Sequence, residues 1–413
     1  MSPGSASPPN LSDAEWLKRQ ETRAVFNAFK AASVEVRAVG GVVRNALLGL
    51  PVTDVDLATP APPEQVMRLA ADAGLKAIPT GVQHGTVTLI AEHVPYEVTT
   101  LREDVESFGR HATVAFTDDW AADARRRDFT MNALYCDASG AVHDPLQGYA
   151  DLQARRVRFI GDADERIRED YLRILRFFRM TAVYAAGDPD GPSLAAAVRQ
   201  RNGLAQLSSE RIHQELTRLL AASRGPEIVG VMRDYGILTA VLPVAPRVER
   251  SRRLAAIEAA LGWPPNATLR LAALGIEIPE DAERLRDRLR LSTAEFGALM
   301  AAATAPIGLR PGIDEGVAKT WLYRLGPEKY RDLAALSWAG SSIDPQDASG
   351  TALATLPDRW QAPQFPLTGA DVLAAGVPAG PRVGTILRAL EDLWIASGFS
   401  ITREDLLAKI ADA

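Results

Sequence analysis

Residues 40–59, GGVVRNALLGLPVTDVDLAT, place two glycines and an arginine ahead of two aspartates separated by a single valine. On an extended strand, side chains i and i+2 share a face, so Asp54 and Asp56 point the same way while Val55 and Leu57 turn into the packing. Two carboxylates held this close repel unless a cation sits with them. Hard oxygen donors suit Mg²⁺, which completes its shell with water and substrate phosphates. Gly40 and Gly41 follow the short β-branched run 33–39 and precede a helix. Lacking side chains, they let backbone N–H groups approach a phosphate at the positive helix end. Arg44, one turn further on, can neutralise that phosphate. The order predicts a triphosphate held by Gly40, Gly41 and Arg44, next to metals held by Asp54 and Asp56. The stretch is neither a P-loop nor a dinucleotide fingerprint. A bare pair of solvated strand aspartates after a glycine turn is the plain alternative, and the complete order is what disfavours it.

The 413 residues suffice for roughly three domains. No window carries the long uncharged apolar run of a membrane helix. The N-terminus has no basic region followed by an apolar one, so no secretory signal is expected. It reads as a disordered lead ending at a capping box of Ser12 and Glu15. With Cys136 alone, no disulfide framework can form within the chain, and a reducing, cytoplasmic setting fits. Cys136 is expected to be a small buried side chain. The formal charge is −6, yet only 6 of the 46 basic residues are lysine. Arginine suits bidentate recognition of phosphates and base edges, although GC-rich coding yields the same bias. None of the 5 histidines lies beyond residue 213, so histidine-built chemistry is excluded from the second half.

Strand patterns are confined to the first 150 residues: 33–39, 52–59, 85–90 and 96–100. Residues 62–74 read as a helix with proline near its start and glycine at its end. Residues 103–119 show no period and read as a loop. Beyond about residue 150 the patterns are helical: 164–180, 208–222 and 226–236. Later starts are marked by Ser292 with Glu295, Thr368 with Asp371 and Thr402 with Asp405. Residues 344–366 read as a linker. The expected fold class is α+β: a small mixed-sheet head followed by an all-helical remainder. The divisions are 1–25 (lead and N-terminal helix), 26–150 (head), 151–222 (neck), 223–343 (body) and 344–413 (linker and tail). The oligomeric state is not legible.

Three further constellations carry chemistry. Glu97, on the strand 96–100, is either a third carboxylate beside the aspartate pair or a surface residue. A third carboxylate could bind metal or accept the proton of an attacking hydroxyl. Residues 124–134, ARRRDFTMNAL, put three arginines before an apolar segment. In the segment 164–180, a single helix would stack Glu169, Arg173 and Arg176 on one face, flanked by Asp170 and Arg179, opposite a buried face. Arg173, Arg176 and Arg179 repel one another there unless an anion or a base edge occupies that face.

The order GGxVR…DxD, then RRDFTMNA, DPLQGYADL (144–152), REDYLRILRFFRM and LSSERIHQEL resembles the class II CCA-adding enzymes, close kin of bacterial poly(A) polymerases. The resemblance is strong over residues 36–222, and 367–394 is similar to the tail of bacterial members. It implies a polymerase β-like nucleotidyltransferase head and addition of C, C and A to tRNA 3′ ends from CTP and ATP with Mg²⁺. It implies that Gly41, Arg44 and Arg127 hold nucleotide phosphates and that Asp54 and Asp56 bind the metals, with Glu97 as third carboxylate. It implies that Asp170 and Arg173 read the base, supported by Arg176 and Arg179. Arg102 and Asp104 would open the loop that switches C addition to A addition. Asn45 stands where the family usually has Asp. Poly(A) synthesis, CC-only or A-only addition, and a non-catalytic RNA-binding role are the alternatives.

Independent chemistry favours such a base code. Carboxylates only accept hydrogen bonds and guanidinium groups only donate them. Cytosine and adenine each show an amino donor beside a ring-nitrogen acceptor, whereas uracil and guanine show the reverse. One Asp–Arg pair can therefore choose C and A without a nucleic-acid template.

Overall fold

The computed structural model describes residues 7–108 and 111–412, with side chains for all of these except 104–108, 111–114 and 411–412. The chain divides into two compact units, one up to Val241 and one from Leu242 onward.

The first unit is built on a seven-stranded mixed sheet. Its strands are β1 (Arg37–Val39), β2 (Asp56–Thr59), β3 (Lys76–Gly81), β4 (Thr86–Ala91), β5 (Val94–Thr100), β8 (Tyr135–Cys136) and β9 (Val142–His143), in the order β3-β4-β5-β2-β1-β8-β9. β2 and β5 run parallel; the other neighbours are antiparallel. A separate hairpin, β6 (Arg102–Phe108) and β7 (His111–Phe116), occupies the stretch expected to be a loop. A strand pair closes its ladder through backbone hydrogen bonds, which leave no side-chain period in the sequence to read. β1 starts four residues later than the pattern at 33–39 suggests: Ser33, at φ 56°, is still in the turn after a helix. Cys136 is fully buried, and burial pushes its thiol up to about 12.

The helices of this unit are α1 (Glu15–Lys18), α2 (Gln20–Ala31), α3 (Gly41–Leu47), α4 (Pro63–Asp72), α5 (Trp120–Arg125), α6 (Gly148–Gln153), α7 (Ala163–Glu169), α8 (Leu172–Tyr184), α9 (Gly191–Arg199), α10 (Ser209–Ala221), α11 (Gly225–Asp234) and α12 (Ile237–Val241). The Ser12–Glu15 capping box does not form: α1 is preceded by Ala14 without a side-chain cap, and the Ser12 amide donates to Asn10 Oδ1. The single helix expected over 164–180 is two helices. Asp170, at φ −156° and ψ 106°, breaks it. Val25, Phe26 and Phe29 of α2 and Val66 and Leu69 of α4 are buried on the apolar side of these helices.

Among the described residues, the regular structure of the second unit is all helical. Trp338 is fully buried, its indole donates to the Asp344 carbonyl (3.0 Å), and Gly350 lies so close that a Cβ there would overlap the ring. A second cluster joins Leu367, Val372, Ile386, Leu390, Trp394 and Leu406. The capping boxes at Ser292 and Thr368 form, and Thr402 caps its helix. The expected linker 344–366 contains two short helices, Ala348–Ala354 and Leu356–Arg359, whose Leu353 and Leu356 are buried. Among the described residues, no helix is long and apolar enough to cross a membrane.

Candidate active site

A cavity of about 650 Å³ in the first unit gathers the glycine loop, the aspartate pair and a wall of arginines. Its size is that of a small-molecule site. Eight arginines and four aspartates line it, which makes it a receptor for anions.

Its carboxylate floor lies at the start of β2, which runs parallel to β5. Asp56 opens β2, and Glu97 of β5 is its partner in register, so both side chains leave the same face. Asp54 precedes the strand rather than lying in it. Buried Val55 between two exposed aspartates preserves the alternation all the same, and both aspartates line the cavity. Glu97 stands beside Asp56 but is not part of the cavity lining. Solvent reaches Asp56, yet protein crowds its carboxyl. That desolvation, with Glu97 and then Asp54 adding like charge, pushes its pKa above the ordinary carboxylate value against the pull of Arg127. Among the described residues, no three His, Cys, Asp or Glu side chains converge as a ready-made ion cage. Two hard carboxylates facing an open cavity are the donor set that Mg²⁺ uses when substrate phosphates complete its shell.

The glycine loop is built for close approach. Gly40 has φ 75°, which suits glycine, and its amide donates to the Leu134 carbonyl (3.1 Å). Gly41 begins α3. Arg44 of α3 is buried, stacked on Tyr184 (4.0 Å to the ring centroid), and donates to Asn45 Oδ1, Asn132 Oδ1 (2.5 Å) and the Tyr184 hydroxyl (2.6 Å). Burial lowers its pKa. None of these hydrogen bonds goes to a carboxylate, so its charge remains available to an anion in the cavity. Asn45 serves two neighbours at once, accepting from Arg44 and donating to the Pro51 carbonyl (3.0 Å). Arg127 faces the same loop. It is held by Asp123 (Nη2 to Oδ2, 3.0 Å) and by the Tyr135 hydroxyl (3.3 Å).

The opposite wall corrects two expectations. Asp170 and Arg173 do not share a helix, because Asp170 sits at the break between α7 and α8. One of its oxygens accepts from the Leu172 amide (3.1 Å), and Arg211 of α10 grips both oxygens, Nη1 to Oδ1 at 3.1 Å and Nη2 to Oδ2 at 2.6 Å. Arg173 pairs instead with Glu169 and donates to the Arg166 carbonyl (2.7 Å). Nor do Arg173, Arg176 and Arg179 need an external anion to relieve their repulsion. Arg176 donates Nε and Nη2 to Asp128 (2.9 and 2.5 Å), and Arg179 donates Nε to Glu215 of α10 (2.5 Å). Asp128 raises the pKa of Arg176. In return, burial would raise that of Asp128, but Arg176, the Asn132 amide and the Phe129 backbone amide together outweigh it and leave the carboxyl below the usual value.

Several of these residues carry little sequence signal. Asp123 is fully buried and accepts from Arg126 (Nε, 2.7 Å), Arg127 and the Tyr135 hydroxyl (2.7 Å). Asn132 links Arg44 to Asp128 (3.0 Å). Together these bonds tie the glycine loop to α8. A signal for Glu215 does exist: it lies on the stripe of α10 with Ile212, Leu216 and Leu219, where a lone carboxylate on an apolar face demands a partner. Arg102 donates to the His84 carbonyl; Asp104 lies outside the residues whose side chains are described.

Residues 36–158 match the family model described as poly A polymerase head domain, and 191–247 the one described as probable RNA and SrmB-binding site of polymerase A. Over 385 residues the chain is 35% identical to mitochondrial CCA tRNA nucleotidyltransferase 1 of Danio rerio, covering 89% of this chain and 86% of that one. The chain belongs to the CCA-adding enzyme family. It is also 32% identical to the CCA-adding enzyme of Geobacillus stearothermophilus, over 88% of this chain and 89% of that one. A solved structure of the Bacillus stearothermophilus CCA-adding enzyme in complex with CTP superimposes with a TM-score of 0.72 at 27% identity, covering 95% of this chain and 96% of that one. The mixed-sheet head with a helical remainder is thus the fold of this family of nucleotidyltransferases.

Proposed function

We propose that this chain is a template-independent tRNA nucleotidyltransferase that adds C, C and A to tRNA 3′ ends from CTP and ATP and releases pyrophosphate. The observation that carries this reading is the single cavity in which the Asp54–Asp56 floor faces both the arginine wall and the Asp170–Arg173 corner. Relatives named for CCA addition, one of them solved with CTP, support it. Asp54 and Asp56 would hold Mg²⁺, and Glu97 would add negative charge beside them. When bound, Mg²⁺ would polarise the α-phosphate and stabilise charge developing there. Gly40, Gly41, Arg44 and Arg127 would seat the triphosphate. The terminal hydroxyl of the tRNA attacks the α-phosphorus, and the bond to pyrophosphate breaks. Asp170 would accept from the base amino group while Arg173 donates to the ring nitrogen, with Arg176 and Arg179 bracing the corner.

In the same reading, residues 26–150 are the catalytic head and 151–222 the base-reading neck. The helices 223–343 and 344–413 grip tRNA, because a head of this size is small for so large a ligand. The lone buried Cys136 suits a reducing, cytoplasmic setting. The test is incubation of tRNA lacking its CCA end with each of the four nucleoside triphosphates, singly and together. Addition of C, C and A only, in that order, is expected. A growing A tract, CC alone or A alone would assign the chain to a sister activity, and no extension would remove the catalytic reading.

A further inference from the structure

Residues of α10 form a layer behind the base-reading corner. Arg211, Glu215 and Arg218 recur at four- and three-residue spacing and so fall on one helix face. Arg211 and Arg218 line the cavity, and Glu215 accepts from Arg179. The contact with the sharpest geometry is the two-point grip of Arg211 on Asp170. Asp170 lies at a helix break, so helical geometry does not fix its side chain; the Leu172 amide holds one oxygen only. A carboxylate on so short a stem has two soft torsions. A planar guanidinium that bonds both of its oxygens fixes the plane of the carboxylate as well as its place. Oδ1 accepts from both the Leu172 amide and Arg211, so Oδ2, which accepts from Arg211 alone, retains a lone pair for a further donor. Arg173, three residues away, is held by Glu169 and the Arg166 carbonyl, while Arg211 holds Asp170. Were Asp170 to close on Arg173, acceptor and donor would neutralise each other, and neither would face a base.

We propose that Arg211 is a positioning residue for nucleotide selection: its grip keeps the Asp170 carboxylate presented as an acceptor and separate from Arg173. This rests on the base-reading role given to Asp170 above. Loss of Arg211 therefore frees Asp170 without removing it, and the discrimination of C and A against U and G falls while transfer chemistry at Asp54 and Asp56 remains.

Single-turnover extension of tRNA lacking CCA, with each nucleotide in turn, tests this in the full chain. Arg211→Ala should lower the preference for CTP over UTP by about tenfold, the worth of one charge-assisted hydrogen bond, mainly through the apparent affinity for CTP. Arg211→Lys keeps the charge but not the two-point geometry and should fall between wild type and Arg211→Ala. The double variant Asp170→Ala/Arg211→Ala should lose no more preference than Asp170→Ala alone, because both changes remove the same presented acceptor. Equal slowing with all four nucleotides, wild-type preference in Arg211→Ala, or additive losses in the double variant would overturn the proposal. If melting shows that Arg211→Ala does not fold, Arg211→Lys decides: wild-type preference there overturns it as well. Retention of wild-type preference by Asp170→Ala would instead sink the base-reading role itself, whatever Arg211 does.

Discussion

The floor and the wall of the cavity are built on opposite electrostatic terms. On the floor, Asp54 and Asp56 are exposed, and the charges nearest to Asp56 include the carboxylates of Glu97 and Asp54, which raise its pKa. On the wall, the buried carboxylates are matched by arginines: Asp123 by Arg126 and Arg127, Asp128 by Arg176, and Glu215 by Arg179. Frustrated charge on the floor is suited to binding a cation, and a fold tolerates it because water reaches it. Satisfied charge on the wall is scaffold, because a buried ion without its partner costs several kcal/mol. Substitutions should therefore separate function from stability according to where they fall.

The largest effect is expected on the floor. Asp54→Asn or Asp56→Asn should reduce nucleotide addition by at least about 10³-fold, the scale of losing electrostatic stabilisation at a reacting phosphate, while melting temperature and tRNA binding stay near wild type. Extension and gel-shift assays, run beside thermal melting, measure both. Substantial residual extension, or a large drop in melting temperature, would erase the contrast.

The wall should behave in the reverse way. Asp128→Ala leaves Arg176 without its closest partner and Asn132 without an acceptor, and should destabilise the fold by about 3–5 kcal/mol. Denaturant titration measures this. A change within experimental error would mean that the wall carboxylates are not scaffold.

The corner between them should show an intermediate effect. Asp170→Ala should slow CTP and ATP use by about tenfold or more, and should raise relative incorporation of UTP or GTP, because removing the acceptor also removes what repels them. Arg176→Ala should affect selectivity less, since its hydrogen bonds run to Asp128.

The smallest effect is one of pH. The Asp128 carboxyl is held below its ordinary value, so the folded state binds its proton more weakly than the unfolded chain. Its stabilising contribution is complete above about 3.9, the unfolded value, and is lost as pH falls through the lower folded value. The stability gap between wild type and Asp128→Asn should thus be constant near neutrality and narrow below that point. A gap that does not narrow in acid would refute the pairing of Asp128 with Arg176.

The sequence by itself determined the floor and the loop. GGVVR followed by DVD is local: backbone alternation aims Asp54 and Asp56 together within three residues, and the glycines need only their own torsions. Amphipathic spacing likewise marks α4, α10 and α11, since a helix that buries one face must repeat near 3.6. Tertiary structure alone decided the wall. The pairing of Asp170 with Arg211, of Arg176 with Asp128 and of Arg179 with Glu215 spans 36 to 48 residues of chain. Helical periodicity knows only neighbours three or four residues away and therefore joined Asp170 to Arg173. The break at Asp170 has the same origin. Residues 164–180 read as one unbroken helical pattern, and the extended aspartate within it has its carboxylate held by the Leu172 amide and by Arg211, a residue far along the chain. A charge finds its partner by distance in space, and that distance exists only once the sheet and the helices around it have packed.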